Sequence, residues 1–411
     1  MKKVFLIILI SIGCIGSVLA RPQYSILMTY GTKCQSCHIN VQGGGARSGP
    51  GWLSRKDMGL INPSKIGLGS VFDIVTSTNT WFDGMITAGL DFRYQSAKFS
   101  APSDNEFSVG RKTERGNFIM QAIPYLSIKP VEWLELEAGY NAAYDLEKTH
   151  RYTSQQRYAA SLYFRPSESL PQLRVGFFQP TLGTKYDDHT ILTRNTPSSR
   201  SYMPVIPDDY AEWGAQIDYE TIEWLGLSVG AFKADNLAVF PATVKKDQGT
   251  YDTKREVVQK SIVDSGSVSM VGRLFFTPKL PWNMVGFFGG MGLLNSDFYY
   301  TSVFANFGIS DKYAVMTEMA YSKKKDGRLT IAYLAEFNYY LLESLIPFFR
   351  AEHAIGREVD ASKSYRLNTF TVGAHAILLP SVDLLAEYRY FQNEMLPSYM
   401  TQWAIQLHLY Y

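Results

Sequence analysis

The chain of 411 residues is long enough for one small domain and one large one, and its net charge of +2 excludes the concentrated basic surface that nucleic-acid binding needs. Aromatics make up 14% of it, with 27 Tyr, 24 Phe and 7 Trp, yet mean hydropathy is slightly negative at −0.12. That pairing argues against a bundle of apolar membrane helices and suits strands that alternate apolar and polar positions.

Residues 1–20 read as an export signal. Lys2 and Lys3 form a basic start, Val4 to Ile15 are almost wholly apolar, and Val18-Leu19-Ala20 supplies a cleavage site ahead of Arg21. The apolar run is short for a membrane anchor. Ser11-Ile12-Gly13-Cys14 leaves a lipoprotein alternative open. Cleavage after Ala20 leaves two cysteines, and no later apolar run is long enough for a transmembrane helix.

Those two cysteines lie in Cys34-Gln35-Ser36-Cys37-His38, a C-x-x-C-H pattern of covalent c-type haem attachment. Two thiols at this spacing reach both vinyl groups of one porphyrin, and the adjacent imidazole then lies under the iron as proximal ligand. A Cys34–Cys37 disulfide and a thioredoxin-like pair are the alternatives in an oxidising compartment. A zinc site would need further soft ligands nearby, and the next histidine is His150. The flanks, Gly-Thr-Lys before and Ile-Asn-Val-Gln-Gly-Gly-Gly after, do not form the βαβ context of a thioredoxin motif. Met58, twenty residues past His38, is the candidate distal ligand, with Met28 as its rival; His150 and His189 are too remote in sequence to prefer.

Residues 21–69 form the haem segment, punctuated by Gly43-Gly44-Gly45 and Ser48-Gly49-Pro50-Gly51. A segment of fewer than about 60 residues buries little core alone, so a haem would serve as that core, helped by docking on the rest of the chain. Residues 70–83 read as a linker, and residues 84–411 as a β-barrel.

In the barrel region Leu134, Leu136, Ala138 and Tyr140 alternate with Glu135, Glu137, Gly139 and Asn141. At the end of the chain Trp403, Ile405, Leu407, Leu409 and Tyr411 alternate with Ala404, Gln406, His408 and Tyr410. A period of two marks strands. About sixteen such segments are expected, each close to the length a tilted membrane strand needs. They start near Gly84, Gly116, Leu134, Arg157, Gln172, Tyr210, Leu225, Ser267, Asn283, Phe298, Tyr313, Arg328, Ile346, Tyr365, Asp383 and Thr401. Short turns follow every second strand, around Pro130-Val131-Glu132, Ile222-Glu223-Trp224, Lys279-Leu280-Pro281 and Leu379-Pro380-Ser381 among others. The other connections are longer in the first half of the barrel, over 96–115, 147–156, 185–209 and 236–266. Short periplasmic turns opposite long external loops are the pattern of outer-membrane barrels, whereas a soluble propeller is the all-β alternative. Glu135, Glu137, Glu387 and Arg389 are expected to face a water-filled lumen. Asp187-Asp188-His189 in an external loop suits Fe(II) by ligand type, with a merely solvated cluster as the alternative, and Lys323-Lys324-Lys325 reads as a solvated loop tip.

A signal peptide, one C-x-x-C-H near the mature N-terminus with a glycine cluster just after it, and a barrel of this size together resemble the fused monohaem cytochrome–porins. Their best-known members are the iron-oxidising outer-membrane cytochromes. The resemblance implies one covalent haem c held by Cys34, Cys37 and His38, in the outer membrane of a Gram-negative-type cell. It implies electron transfer between an extracellular redox partner, with Fe(II) the candidate donor, and a periplasmic c-type cytochrome. The haem segment would enter from the periplasm and plug or line the lumen, and the barrel would contact outer-membrane lipid. Two other readings stay open: a diffusion porin with a structural or sensory haem plug, and an anchor for a separate multihaem complex.

Overall fold

The computed structural model describes residues 38–40, 47–48, 51–52, 58–102, 111–143, 158–167, 169–184, 191–197, 202–204, 210–237, 240–245, 255–260, 266–310, 312–325, 327–357, 364–394 and 399–411. Sixteen antiparallel strands dominate them: β1 (Ile86–Pro102), β2 (Arg111–Val131), β3 (Leu134–Tyr140), β4 (Tyr158–Phe164), β5 (Gln172–Phe178), β6 (Glu212–Tyr219), β7 (Leu225–Lys233), β8 (Val268–Phe276), β9 (Met284–Leu294), β10 (Phe298–Ile309), β11 (Tyr313–Lys324), β12 (Leu329–Tyr339), β13 (Leu345–Arg357), β14 (Ser364–Leu379), β15 (Val382–Asn393) and β16 (Met400–Tyr410). Each pairs with the next, and β16 pairs back on β1 from Asp91↔Tyr410 to Ser100↔Thr401, so the sheet closes into a barrel.

Fifteen of these strands begin within two residues of the positions read from alternation. The exception is β2, which begins at Arg111 instead of Gly116. Residues 96–102 and 111–115, expected as loop, extend the β1–β2 hairpin as far as Pro102↔Arg111. Their polar side chains read as a loop, because above a membrane a strand needs no apolar face.

Alternation sorts side chains as expected. In β3, Leu136 and Tyr140 are exposed while Glu135 and Glu137 are buried inside; in β16, Trp403 and Ile405 are exposed while Gln402 and Ala404 are buried. The outer wall thus presents Leu162, Val175, Ile217, Val229, Val303 and Phe349, among other large apolar residues. An apolar surface this extensive is stable only against lipid, which makes the fold a membrane-spanning barrel. Val303→Arg, at the middle of β10, is expected to cost about 2–4 kcal/mol in reversible unfolding from lipid, with little loss if the same change is made at Ser296, between β9 and β10.

The short connections share one end. Trp133, Trp224 and Trp282 lie in them and are exposed, and Trp81 pairs with the start of β1, as expected of an aromatic girdle. Trp282 and Asn283 both adopt left-handed backbone, φ 60° and 56°, which gives this connection its tight reversal into β9. At the opposite end, two of the long connections carry hairpins of their own, Asn195–Pro197 with Tyr202–Pro204 and Phe240–Lys245 with Arg255–Lys260.

The stretch before the barrel is more ordered than a plain linker. Leu60 and Ile61 donate backbone hydrogen bonds to Ile377 and Leu378 at the short-turn end of β14, at 2.8 and 3.0 Å. A 3-10 turn, Pro63–Ile66, follows, capped by Asn62, whose side chain accepts from Ser64 N at 2.9 Å. Gly67, φ 76°, closes it, and helix α1 (Gly69–Val75) leads to Thr80–Trp81, which pairs with Ile86 and Thr87.

Candidate functional site

The inner wall at the short-turn end carries a cluster of charges that reaches the motif segment. Glu135 and Glu137 project inward from β3, Tyr163 from β4 and Arg174 from β5, with Arg165 just after β4. Arg165 pairs with Glu135, which also accepts from Ser127 at 2.6 Å. Arg174 pairs with Glu137 at 3.4 Å, and Tyr163 donates to the same carboxylate at 2.9 Å. Both guanidiniums lie over the Tyr163 ring, 4.5 and 4.8 Å from its centroid. Each also holds the N-terminal segment: Arg165 Nη2 donates to the Ile39 carbonyl at 2.7 Å, and Arg174 Nη1 to Asn40 Oδ1 at 3.2 Å. Ile39 packs on Tyr163, which is fully buried.

The segment's other described residues meet other strands. His38 forms a backbone bridge with Arg47, whose carbonyl accepts from Asn79 at 2.9 Å and whose guanidinium lies 5.4 Å above the Tyr410 ring of β16. Trp52 contacts Tyr411, ring centroids 4.7 Å apart. Met58 is buried, two residues before the backbone pairing of Leu60 with β14. The described parts of the segment therefore touch β4–β5, β16 and β14, all at the short-turn end.

Cys34, Cys37 and Met28 lie outside the described residues, as do His150 and Asp187-Asp188-His189. His38 stands one residue before the doubly anchored Ile39 and Asn40. The donor set of two thiols, an imidazole and a thioether suits c-type haem chemistry. Of Lys323-Lys324-Lys325, expected as a solvated loop tip, only Lys325 lies past β11, where it pairs with Asp297 at 2.8 Å and remains mostly exposed; Lys323 and Lys324 end the strand, and Lys324 is buried by the alternation of that strand.

The long connection between β5 and β6 folds into the bore. Thr181 N donates to Gln216 of β6 at 3.3 Å, Thr184 Oγ1 to Glu318 of β11 at 2.6 Å, and Leu192 N to Glu352 of β13 at 2.7 Å. In a ring of sixteen strands β13 stands opposite β5, so this loop spans the bore. Ile191 clusters with Phe275, Phe287, Phe304, Met316 and Leu334, and Leu192 with Ala332, Ala354 and Leu367. Gly183, φ 50°, lets the loop turn where a Cβ would strike the Glu318 carboxylate.

Elsewhere the inner wall is an array of paired charges. Glu387 and Arg389 face inward as expected and pair at 2.7 Å; Arg350 pairs with Glu336 at 2.6 Å; Asp91 receives both Arg93 and His408 at 3.1 Å. His375 pairs with Asp383 at 3.1 Å. Removing one partner of a buried pair strands the other charge. Arg350→Ala is expected to lower unfolding stability by about 3–5 kcal/mol. By contrast Lys279→Ala, which breaks the exposed pair with Glu223, should cost about 0–1 kcal/mol, both changes being read by urea unfolding from lipid.

Comparison with solved structures places this architecture. Pseudomonas putida OprB matches with a TM-score of 0.54 at 9% identity, over 80% of this chain and 95% of that one. An anion-selective porin from Comamonas acidovorans matches with a TM-score of 0.52 at 10% identity, over 79% of this chain and 99% of that one. No protein-family model and no curated protein sequence matches. The chain folds as a closed, porin-like barrel of sixteen antiparallel strands.

Proposed function

We propose that this protein is an outer-membrane barrel carrying a monohaem cytochrome segment in its periplasmic mouth. The segment passes electrons between an extracellular donor or acceptor and a periplasmic c-type cytochrome. The observation that carries this reading is the anchorage of Ile39 and Asn40, next to His38, on Arg165 and Arg174 of the inner wall. A c-type haem bound by Cys34, Cys37 and His38, with Met58 as candidate distal ligand, would supply one reversible electron at its iron.

The chain's own residues set the conditions for that chemistry. Arg165 and Arg174 hold the motif segment on the side of the barrel where periplasmic carriers approach, while the β5–β6 loop narrows the bore above it. The apolar band of such a barrel is about 25 Å tall, more than one haem spans. A small donor that enters the lumen, of which Fe(II) is the candidate, fits that geometry better than a partner confined to the cell surface.

The test is a reduced-minus-oxidised visible spectrum of the purified protein, taken with dithionite and separately with Fe(II). Sharp c-type bands under both reductants support iron as donor. Bands with dithionite alone keep the conduit and exclude Fe(II). A second reading is favoured by the fold it shares with an anion-selective porin: a diffusion porin in which the haem is a structural or sensory plug. Liposomes containing the protein that swell in small solutes as fast as porin liposomes would favour this second reading.

A further inference from the structure

We propose that Arg165 and Arg174 are positioning residues for the haem-motif segment: they dock Ile39 and Asn40 in the barrel mouth and, with Glu135 and Glu137, balance the charge beside His38. The redox half of this inference rests on the function proposed above; the docking half does not.

The donor geometry singles these two arginines out. Arg165 directs Nε to Gln172 at 2.9 Å, Nη1 to Glu135 and Nη2 to the Ile39 carbonyl. Arg174 directs Nε to Ser161 at 2.9 Å, Nη2 to Glu137 and Nη1 to Asn40. In both, two nitrogens are fixed by the wall and the third is left pointing at the segment. A rigid guanidinium fork so fixed presents its remaining donor in one orientation, which a lysine ammonium does not. The wall would need no such arrangement merely to neutralise its own carboxylates.

Most of the cluster is buried, with Arg165 its most exposed member. Tyr163 is fully buried beneath Ile39, and Glu135, Glu137 and Arg174 are nearly so, which weakens solvent screening of their charges. Two carboxylates and two guanidiniums cancel. Removing one arginine leaves a net negative charge beside His38, which favours the ferric state; removing one carboxylate leaves a net positive charge, which favours the ferrous state. The two kinds of substitution should therefore move the haem potential in opposite directions, an outcome that loosened packing alone would not produce.

The test uses the full-length chain purified from outer membranes, with heat-dependent gel migration as the control for barrel assembly. Hydrogen exchange of the peptide spanning 38–52 reads docking. R165Q/R174Q should speed it several-fold and Arg174→Lys less, and unchanged exchange would overturn the docking half. If the double variant fails to assemble, Arg174→Gln alone is read the same way. Spectroelectrochemical titration reads charge: Arg174→Gln should lower the midpoint potential and Glu137→Gln should raise it. Shifts of the same sign, or none, would overturn the charge half. A wild-type chain without haem would sink the proposed function and the charge half together, while exchange would still decide docking.

Discussion

A chain with both Cys34 and Cys37 replaced by alanine is expected to assemble as a barrel yet carry no covalent haem. Thioether attachment needs the two thiols, and the sequence beyond residue 37 has no further cysteine. The barrel depends on neither. Its stability comes from sixteen paired strands, an apolar outer wall in lipid and buried ion pairs such as Arg350–Glu336, none of which is made by a cysteine. Haem stain on a denaturing gel should vanish while heat-dependent migration is retained. Loss of the haem also removes the core of a segment too small to bury one of its own, so residues 21–57 should become sensitive to protease while the barrel resists. Equal haem stain in wild type and variant would place the haem elsewhere. If the pair is a disulfide instead, the wild type will carry no haem.

Releasing the β5–β6 loop is the second large effect. Glu318→Ala and Glu352→Ala together should raise single-channel conductance several-fold, measured with residues 21–57 deleted so that the mouth segment does not limit the current in series. The two carboxylates accept from Thr184 Oγ1 and Leu192 N, and hydrogen bonds to a charged acceptor contribute about 1.5–3 kcal/mol each. Ile191 and Leu192 still pack on the wall, so adding Ile191→Asp should raise conductance further. Glutamine at both positions keeps an acceptor oxygen and should leave conductance near that of the parent. If the alanine variants conduct no better than the parent, the loop is held by its apolar contacts and the carboxylates are incidental.

Most strand positions were legible in the sequence because lipid outside and a polar lumen inside force alternate residues apart, as in Leu134 to Tyr140. Where that contrast fails, the sequence is mute about facing. The strand Met284–Leu294 has no polar side chain, and its inward Phe287 shows its role only as part of the aromatic wall with Phe275 and Phe304 that Ile191 covers. The inward fold of the β5–β6 loop was equally hidden, since Leu182, Ile191 and Leu192 are isolated apolar residues in a polar stretch.

The motif Cys34-Gln35-Ser36-Cys37-His38 is local and could be read directly. Its wall partners could not, because Arg165 and Arg174 lie 126 and 134 residues from the atoms they hold. Alternation does mark Arg174 as inward, in step with Gln172, but only barrel closure and the path of the N-terminal segment bring it beside Asn40.

The most direct test of the account is a reduced-minus-oxidised spectrum of the purified, heat-modifiable protein under dithionite, with haem quantified per barrel. Sharp c-type bands and one haem per chain are expected, both lost in the Cys34→Ala/Cys37→Ala variant. An assembled barrel without such bands would contradict that expectation and leave a porin with an N-terminal plug.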